Sequence, residues 1–161
     1  INLMGGEEVY SKQLQKVFNT GQFDMANEPD IGYPYLFNFV KGEEWRTQEK
    51  VSKLINQYFK NTPEGLPGND DTGTMSAWLI YSMMGIYPIS PAEPSYTITR
   101  PVFDKITIQL DSKYYKNKQL IIEKKGQGKI NNIQINGKTI KSYFISHASL
   151  VNGYNLKINL Q

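Results

Sequence analysis

The sequence contains no cysteine and a single histidine, His147, among 161 residues. The lack of cysteine excludes disulfide bonds, thiolate metal sites and a cysteine nucleophile, and one histidine excludes a multi-histidine zinc site. No apolar run approaches the length of a membrane-spanning helix, and no signal-peptide pattern or Asn-x-Ser/Thr glycosylation site is present. The chain begins at Ile1 rather than at methionine, which we expect of a piece of a longer protein.

Composition and charge favour an ordinary folded domain. The chain is 39% hydrophobic and 12% aromatic, which is enough for a core and is not a disordered composition. Residues 1–100 hold 8 basic and 12 acidic side chains, whereas residues 101–161 hold 10 basic and 3 acidic ones. The lysines of the second part are scattered through alternating strands and turns. A solvated sheet face is therefore favoured over a nucleic-acid surface.

Apolar residues recur at helical spacing in the first part of the chain. Val51, Leu54, Ile55, Tyr58 and Phe59 repeat at i, i+3, i+4, i+7 and i+8, which is the clearest helix pattern. The predicted helices cover residues 7–19, 33–40, 44–60 and 74–84, with Gly21, Gly42 and Gly85 as stop signals. The helix at 74–84 is apolar on nearly all sides, so we expect it to be deeply buried.

The spacing of apolar residues changes from a helical period of 3.6 residues to a period of two residues after a proline-rich joint at Pro88, Pro91 and Pro94. Apolar residues then alternate with polar ones as far as Leu160, and Asn136-Gly137 is a hairpin-turn sequence. We therefore predict an α+β fold with two parts. A helical segment at 1–94 precedes an antiparallel β-sheet or sandwich segment at 95–161.

The most informative segment is the loop Gly68-Asn-Asp-Asp-Thr-Gly73, immediately before the helix at 74–84. It gathers the side-chain oxygens of Asn69, Asp70 and Asp71 between two glycines. Such oxygens serve as ligands of hard cations or as a general base. The structural alternative is a helix cap, in which Asp71 or Thr72 binds the first free N–H groups. The loop alone favours the cap.

A second polar cluster, Asn27, Glu28 and Asp30, lies between the first two predicted helices. It is either a plain interhelical loop punctuated by Pro29 or part of the same site. If the loops that join alternate pairs of helices lie at the same end of a helical array, Asn27 and Glu28 would face the same cavity as Asn69, Asp70 and Asp71. The nearby aromatic residues are candidate sugar-stacking surfaces: Tyr33, Tyr35, Trp45 and Trp78. For Trp78, packing in the core is favoured over sugar stacking.

Two other interpretations of the aspartate loop fail. A calcium loop of the EF-hand type that starts at Asn69 requires glycine at its sixth position and glutamate at its twelfth, where this chain has Thr74 and Ile80. No Gly-Lys-Ser/Thr sequence follows, which excludes a P-loop. A glycosidase-type carboxylate site stays open, although the neighbours Asp70 and Asp71 are not expected to form an opposed acid–base pair by themselves.

Six blocks follow one another along the chain: Ala26-Asn-Glu-Pro29, Tyr33-Pro-Tyr-Leu36, Trp45-Arg-Thr-Gln48, Gly65-Leu-Pro-Gly-Asn-Asp-Asp71, Met75-Ser-Ala-Trp78 and Gly85-Ile-Tyr-Pro88. Their order and spacing resemble the C-terminal part of the catalytic region of the calcium-dependent exo-α-mannosidases of glycoside hydrolase family 92. The stretch from Tyr96 to Phe103 and Asn136-Gly-Lys138 resemble the closing β segment of that family. The similarity runs through nearly all of the chain.

The resemblance implies an inverting hydrolase of terminal α-mannose, with its site between an N-terminal β-sandwich and an (α/α)6 barrel. Residues 1–94 would then be part of the barrel. The implied catalytic residues are Asp71, as general base, and its neighbour Asp70. Glu28 and Asn69 would contact substrate, and Asn27 and Asp71 would bind Ca2+. The general acid of the family is an upstream glutamate, and no segment here matches it. Asn69 stands where some members carry a carboxylate.

The same resemblance implies mannose-containing glycans and the missing β-sandwich domain of the parent chain as partners, and no nucleic acid. We expect the parent to be a bacterial periplasmic, cell-surface or secreted enzyme. We expect this chain alone to be inactive and to self-associate through helical stripes left without their neighbours, such as Val51, Leu54 and Phe59. The alternatives are a non-catalytic carbohydrate-binding or assembly module and a purely structural domain.

Overall fold

The computed structural model of the chain describes residues 1–90 and 92–161. In this part of the chain the α-helices are α1 (Glu7–Asn19), α2 (Glu44–Tyr58), α3 (Thr74–Met84) and α4 (His147–Asn152), and 3-10 helices cover Asn2–Met4 and Glu28–Phe39. The strands are β1 (Ile86–Tyr87), β2 (Ser95–Ile98), β3 (Lys105–Gln109), β4 (Gln119–Lys125), β5 (Ile130–Ile135), β6 (Lys138–Ile140), β7 (Phe144–Ser146) and β8 (Asn155–Leu160). Pro91 of the predicted proline-rich joint lies outside the described residues.

The backbone forms two compact units, residues 1–80 and residues 81–161. An α+β fold with helices before strands is confirmed. The division between the units falls inside α3 rather than at the change of period. The predicted domain boundary between residues 94 and 95 stays a prediction.

Three of the four predicted helices are confirmed as α1, α2 and α3, and the fourth is longer than predicted. Residues 28–39 form a 3-10 helix, whereas the sequence predicted a short helix at 33–40. Pro34 lies inside this segment and has no N–H to donate to an i−4 carbonyl. The tighter 3-10 winding, with Pro29 in its first turn, accommodates both prolines.

The first unit is held together by the contact of α2 with the 3-10 helix. Val51 and Leu54 of α2 are 1% and 5% exposed, and Phe59 is also buried. The prediction that this stripe lacks a partner is therefore wrong, because α2 packs against the long 3-10 helix and Phe59 stacks on Trp78. Self-association of the chain stays a prediction without that support.

The second unit contains two sheets. The smaller has the order β1-β2-β7 with antiparallel pairs, and the larger has the order β3-β4-β8-β5-β6. In the larger sheet β8 runs parallel to β4 and antiparallel to β5. The larger sheet is thus mixed, not purely antiparallel as predicted. The reason is geometric, since β4 and β5 run in opposite directions and any strand between them must be parallel to one of them.

Both sheets bury their apolar faces in one cluster. Ile98 and Ile145 of the smaller sheet belong to it together with Ile122, Leu156 and Ile158 of the larger one. The alternation along β8, where every second residue is buried, is the period-two pattern of the sequence. The predicted hairpin turn joins β5 to β6, and Asn136 and Gly137 have the left-handed φ angles of 50° and 78° that such a turn needs.

Candidate active site

The aspartate loop enters α3 through three consecutive left-handed residues. Asp71, Thr72 and Gly73 have φ angles of 47°, 61° and 94°. Glycine adopts this conformation freely, but each of the other two residues loses about 1–2 kcal/mol relative to right-handed backbone. A β-branched residue such as Thr72 is especially unfavourable there. The surrounding hydrogen bonds must therefore hold this turn.

Asp70 supplies most of those bonds. Its Oδ1 accepts the backbone N–H of Ser76 at 2.8 Å, and its Oδ2 accepts the Ser76 hydroxyl at 2.9 Å. Its carbonyl oxygen accepts the N–H groups of Gly73 and Met75 at 3.1 and 3.2 Å. Asp70 thus satisfies free donors at the start of α3. The capping contact that the sequence left open as an alternative for Asp71 or Thr72 is made by Asp70.

The backbone of Asp71 is fixed, but its carboxylate is not. The Asp71 N–H donates to Asn69 Oδ1 at 3.3 Å, and the Asp71 carbonyl accepts the Thr74 hydroxyl at 2.8 Å. Within residues 1–90 and 92–161, the Asp71 carboxylate accepts no hydrogen bond. Of the two neighbouring aspartates, only Asp71 therefore has a carboxylate that no protein donor already orients.

The two polar clusters of the sequence meet at this helix terminus. The Thr74 hydroxyl lies 3.4 Å from Glu28 Oε1, across a sequence separation of 46 residues. A Cβ at Gly68 would lie 2.9 Å from the Ala26 Cβ, so the two backbone segments are in close contact. The loops that carry Glu28 and Asp71 are thus neighbours, and a shared cavity between them stays a prediction.

Asn27 and Asp30 have different surroundings. Asn27 precedes the 3-10 helix and is exposed, and its side chain does not cap that helix. Asp30 is 7% exposed, and its Oδ2 accepts the Asp24 N–H at 3.0 Å. Asn27 is therefore accessible to a ligand, whereas Asp30 stabilises its own loop.

Two of the four candidate sugar-stacking aromatics are core residues. Trp78 and Tyr35 are both 0% exposed. The Trp78 ring stacks on Phe59 with centroids 5.5 Å apart, and its indole N–H donates to the Ile31 carbonyl at 2.9 Å. This confirms the core assignment favoured for Trp78. Tyr33 and Trp45 keep partly exposed rings.

The site offers the type of oxygen ligand that calcium binds, but too few of them to complete the coordination shell of the ion. Asn27 and Asp71 offer amide and carboxylate oxygens, the hard donors that calcium binds. Calcium takes 6–8 oxygens, and the described residues contain no group of three or more His, Cys, Asp or Glu side chains that could hold a metal ion. Any remaining ligands would have to come from water, substrate hydroxyls or another part of the protein.

Thr74 and Ser76 are site residues that pattern reasoning on the sequence missed. Both lie in the first turn of α3, where serine and threonine are ordinary residues that carry no separate signal. Their partners, Glu28 and Asp70, become evident only when the loop conformation is known.

The lone histidine lies in the second unit, in a cluster of tyrosines. The Tyr96 hydroxyl is 3.0 Å from His147 Nδ1, and the Tyr115 hydroxyl is 3.3 Å from His147 Nε2. Burial raises the pKa of Tyr96, with smaller contributions from Tyr81 and Tyr115. His147 thus joins β2, the β3–β4 loop and α4 by hydrogen bonds.

A comparison with models of known protein families identifies the family of this chain. The family model described as the glycosyl hydrolase family 92 catalytic domain matches residues 1–161. The chain therefore belongs to glycosyl hydrolase family 92. The family resemblance recognised in the sequence blocks is confirmed.

Relatives agree with this assignment. An uncharacterized secreted glycosidase of Arthroderma benhamiae is 27% identical over 163 residues, which cover 99% of this chain and 21% of the relative. The family GH92 α-mannosidase BT3965 of Bacteroides thetaiotaomicron superposes with a TM-score of 0.86 at 26% identity, over 97% of this chain and 22% of that one. The inverting mannosidase BT2199 of the same organism gives 0.74 at 25% identity, over 98% of this chain and 21% of that one.

The chain spans about a fifth of the length of these relatives. Across residues 1–90 and 92–161, no helix is both long enough and apolar enough to cross a membrane.

Proposed function

We propose that the protein to which this chain belongs releases terminal α-linked mannose from glycans by inverting hydrolysis, with Asp71 as the general base. Family membership and the likeness to an α-mannosidase and an inverting mannosidase support the reaction class. In such a reaction the base activates a water on the face of the sugar opposite the leaving group.

The observation that carries the assignment of the base is the difference between two adjacent carboxylates. Asp70 has both oxygens bound to Ser76, whereas the Asp71 carboxylate accepts no hydrogen bond within the described part of the chain. A general base must have a free oxygen within reach of the proton that it removes. Asp71 meets this requirement without losing an existing hydrogen bond, whereas each oxygen of Asp70 already accepts one from Ser76.

Glu28 and Asn69 are proposed substrate contacts. Glu28 lies beside the start of α3, next to the Thr74 hydroxyl, and both Glu28 and Asn69 are exposed. Carboxylate and amide groups at the rim of a loop can bind sugar hydroxyls directly. Selectivity between glycosidic linkages would come largely from the rest of the parent chain.

Asn27 and Asp71 would hold calcium, completed by ligands from outside this chain. When bound, the ion would supply an electrostatic grip on two neighbouring hydroxyls of the sugar ring. Since the related glycosidase of Arthroderma benhamiae is described as secreted, we place the parent enzyme outside the cytoplasm, where its glycan substrates occur.

The test is Asp71→Asn in the full-length protein, assayed on an α-mannoside. Asparagine keeps the shape and tolerates left-handed backbone, but it cannot accept a proton at neutral pH. We expect turnover to fall about 10²–10⁴-fold with the thermal unfolding midpoint unchanged. Asp104→Asn makes the same change of charge at an exposed position and should leave turnover unaltered. Near-parental turnover of Asp71→Asn would exclude Asp71 as the base.

The chain alone should not hydrolyse mannosides. One carboxylate cannot both protonate the leaving oxygen and activate water, and the resemblance implies a general acid on a segment other than these blocks. Incubation of the purified chain with α-mannobiose and calcium should give no turnover. A rate of about 1 per second or more, typical of enzymes, would contradict this.

A further inference from the structure

We propose that Ser76 and Asp70 act as positioning residues, which hold the left-handed turn that presents Asp71. This inference rests on the proposed function. Ser76 binds Asp70 through two donors, a backbone N–H and a hydroxyl, so that both carboxylate oxygens are occupied. Neither residue is proposed to touch the substrate.

The hydrogen bonds connect Ser76 to Asp71 step by step. The Ser76 side chain fixes the Asp70 carboxylate, and the Asp70 carbonyl accepts the N–H groups of Gly73 and Met75. These two bonds close the loop around Asp71 and Thr72. A residue with φ of 47° presents its side chain in a direction that ordinary right-handed backbone would not.

The turn also separates the functions of the two aspartates. Because Asp70 satisfies the donors at the start of α3, Asp71 is not needed as a cap and its carboxylate stays free. If the Asp70 bonds were lost, the helix N–H groups would be available to capture Asp71 instead. The expected failure is therefore a misplaced base rather than an unfolded protein.

The experiment uses the full-length protein and an α-mannoside substrate. Ser76→Ala removes the hydroxyl but keeps the backbone N–H, so we expect kcat to fall about 10–100-fold with little change in KM. Ser76→Thr keeps both donors and should restore most of the rate. The acid limb of the pH profile should stay in place in Ser76→Ala, because the base itself is intact, whereas it should disappear in Asp71→Asn.

Three further variants distinguish a positioning role from a catalytic or a merely stabilising one. Asp70→Asn keeps an acceptor for the Ser76 N–H, and its amide group can donate to the Ser76 hydroxyl oxygen, so both contacts can persist. It should retain most of the turnover, whereas Asp70→Ala should lose as much as Ser76→Ala. Ser146→Ala is the matched control, because the Ser146 side chain caps α4 by accepting the Ser149 N–H at 3.1 Å in the other unit. It should lower thermal stability to a similar extent without changing kcat.

Three results would overturn the inference. They are parental kcat in Ser76→Ala, equal loss of activity in Ser76→Ala and Ser146→Ala, and a loss in Asp70→Asn as large as that in Asp71→Asn. If the parent hydrolyses no α-mannoside, the proposed function fails. A crystal structure of Asp70→Ala then decides the inference separately. Loss of the left-handed φ at Asp71 supports it, and retention of that φ contradicts it.

Discussion

The contact between Gly68 and Ala26 gives a prediction that tests whether the two loops of the candidate site depend on each other. A Cβ added at Gly68 would lie 2.9 Å from the Ala26 Cβ, closer than carbon atoms of real side chains approach. The next nearest atom, the Ala26 Cα, would be at 3.7 Å, which is ordinary contact. Gly68→Ala must therefore move one loop by several tenths of an ångström, unless the Ala26 methyl group is removed.

The magnitude follows from opposing effects. Overpacking of this kind costs about 1–3 kcal/mol. Gly68 does not have a left-handed φ, so alanine would otherwise stabilise the protein by about 0.4–1 kcal/mol through the unfolded chain. We expect Gly68→Ala to be destabilising alone and neutral or stabilising in an Ala26→Gly background. The interaction between the two changes should be about 1–3 kcal/mol.

The assay is a double-mutant cycle on the free energy of unfolding of the chain in urea, with turnover measured on the same four variants of the full-length protein. A displacement of about 1 Å at the base can lower the rate about 100-fold, so activity should fall in Gly68→Ala and recover in the double variant. Equal effects of Gly68→Ala in both backgrounds would refute the argument, since the Ala26 methyl group would then not be the obstacle.

Three other substitutions test separate parts of the structure. Trp78→Phe leaves the Ile31 carbonyl without its indole donor and should cost about 1–3 kcal/mol in urea unfolding, and an unchanged midpoint would contradict this bond. Thr72→Gly removes the strain of a β-branched residue in left-handed backbone and should raise the free energy of unfolding by about 1 kcal/mol, whereas a lower value would show that the turn is not strained. Because burial raises the pKa of Tyr96, the neutral hydroxyl contributes stability below its unfolded pKa of about 10, and that stability is lost at higher pH as the group ionises. Tyr96→Phe should therefore reduce the loss of thermal stability above about pH 10, and an unaltered alkaline profile would exclude this role.

The sequence predicted the elements whose patterns are local. The repeat from Val51 to Phe59 predicts α2, and Asn136-Gly137 predicts the turn between β5 and β6, because both depend on residues close in the chain. The burial of α3 was predicted less well. Trp78 is 0% exposed, but Ile80 on the same helix is 58% exposed. An all-round apolar composition does not show which faces of a helix are covered in a given chain.

The candidate site shows a similar limit. The local pattern drew attention to Asp70 and Asp71 equally, and only the family resemblance favoured Asp71 as the base. Their difference arises from the left-handed turn and from Ser76, six residues after Asp70. The parallel pairing of β8 with β4 was also beyond the sequence, because strand order depends on contacts between distant segments.

The central place of β8 has a consequence for how the second unit can be made. The last strand of the described chain lies between β4 and β5, so the earlier strands of the larger sheet can form only the separate pairs β3–β4 and β5–β6. While the chain is being synthesised, both pairs present open edges until residues 155–160 leave the ribosome. Exposed edges of this kind favour aggregation, and such long-range pairing slows folding. Truncation before Asn155 would therefore remove the middle of the sheet rather than trim its border.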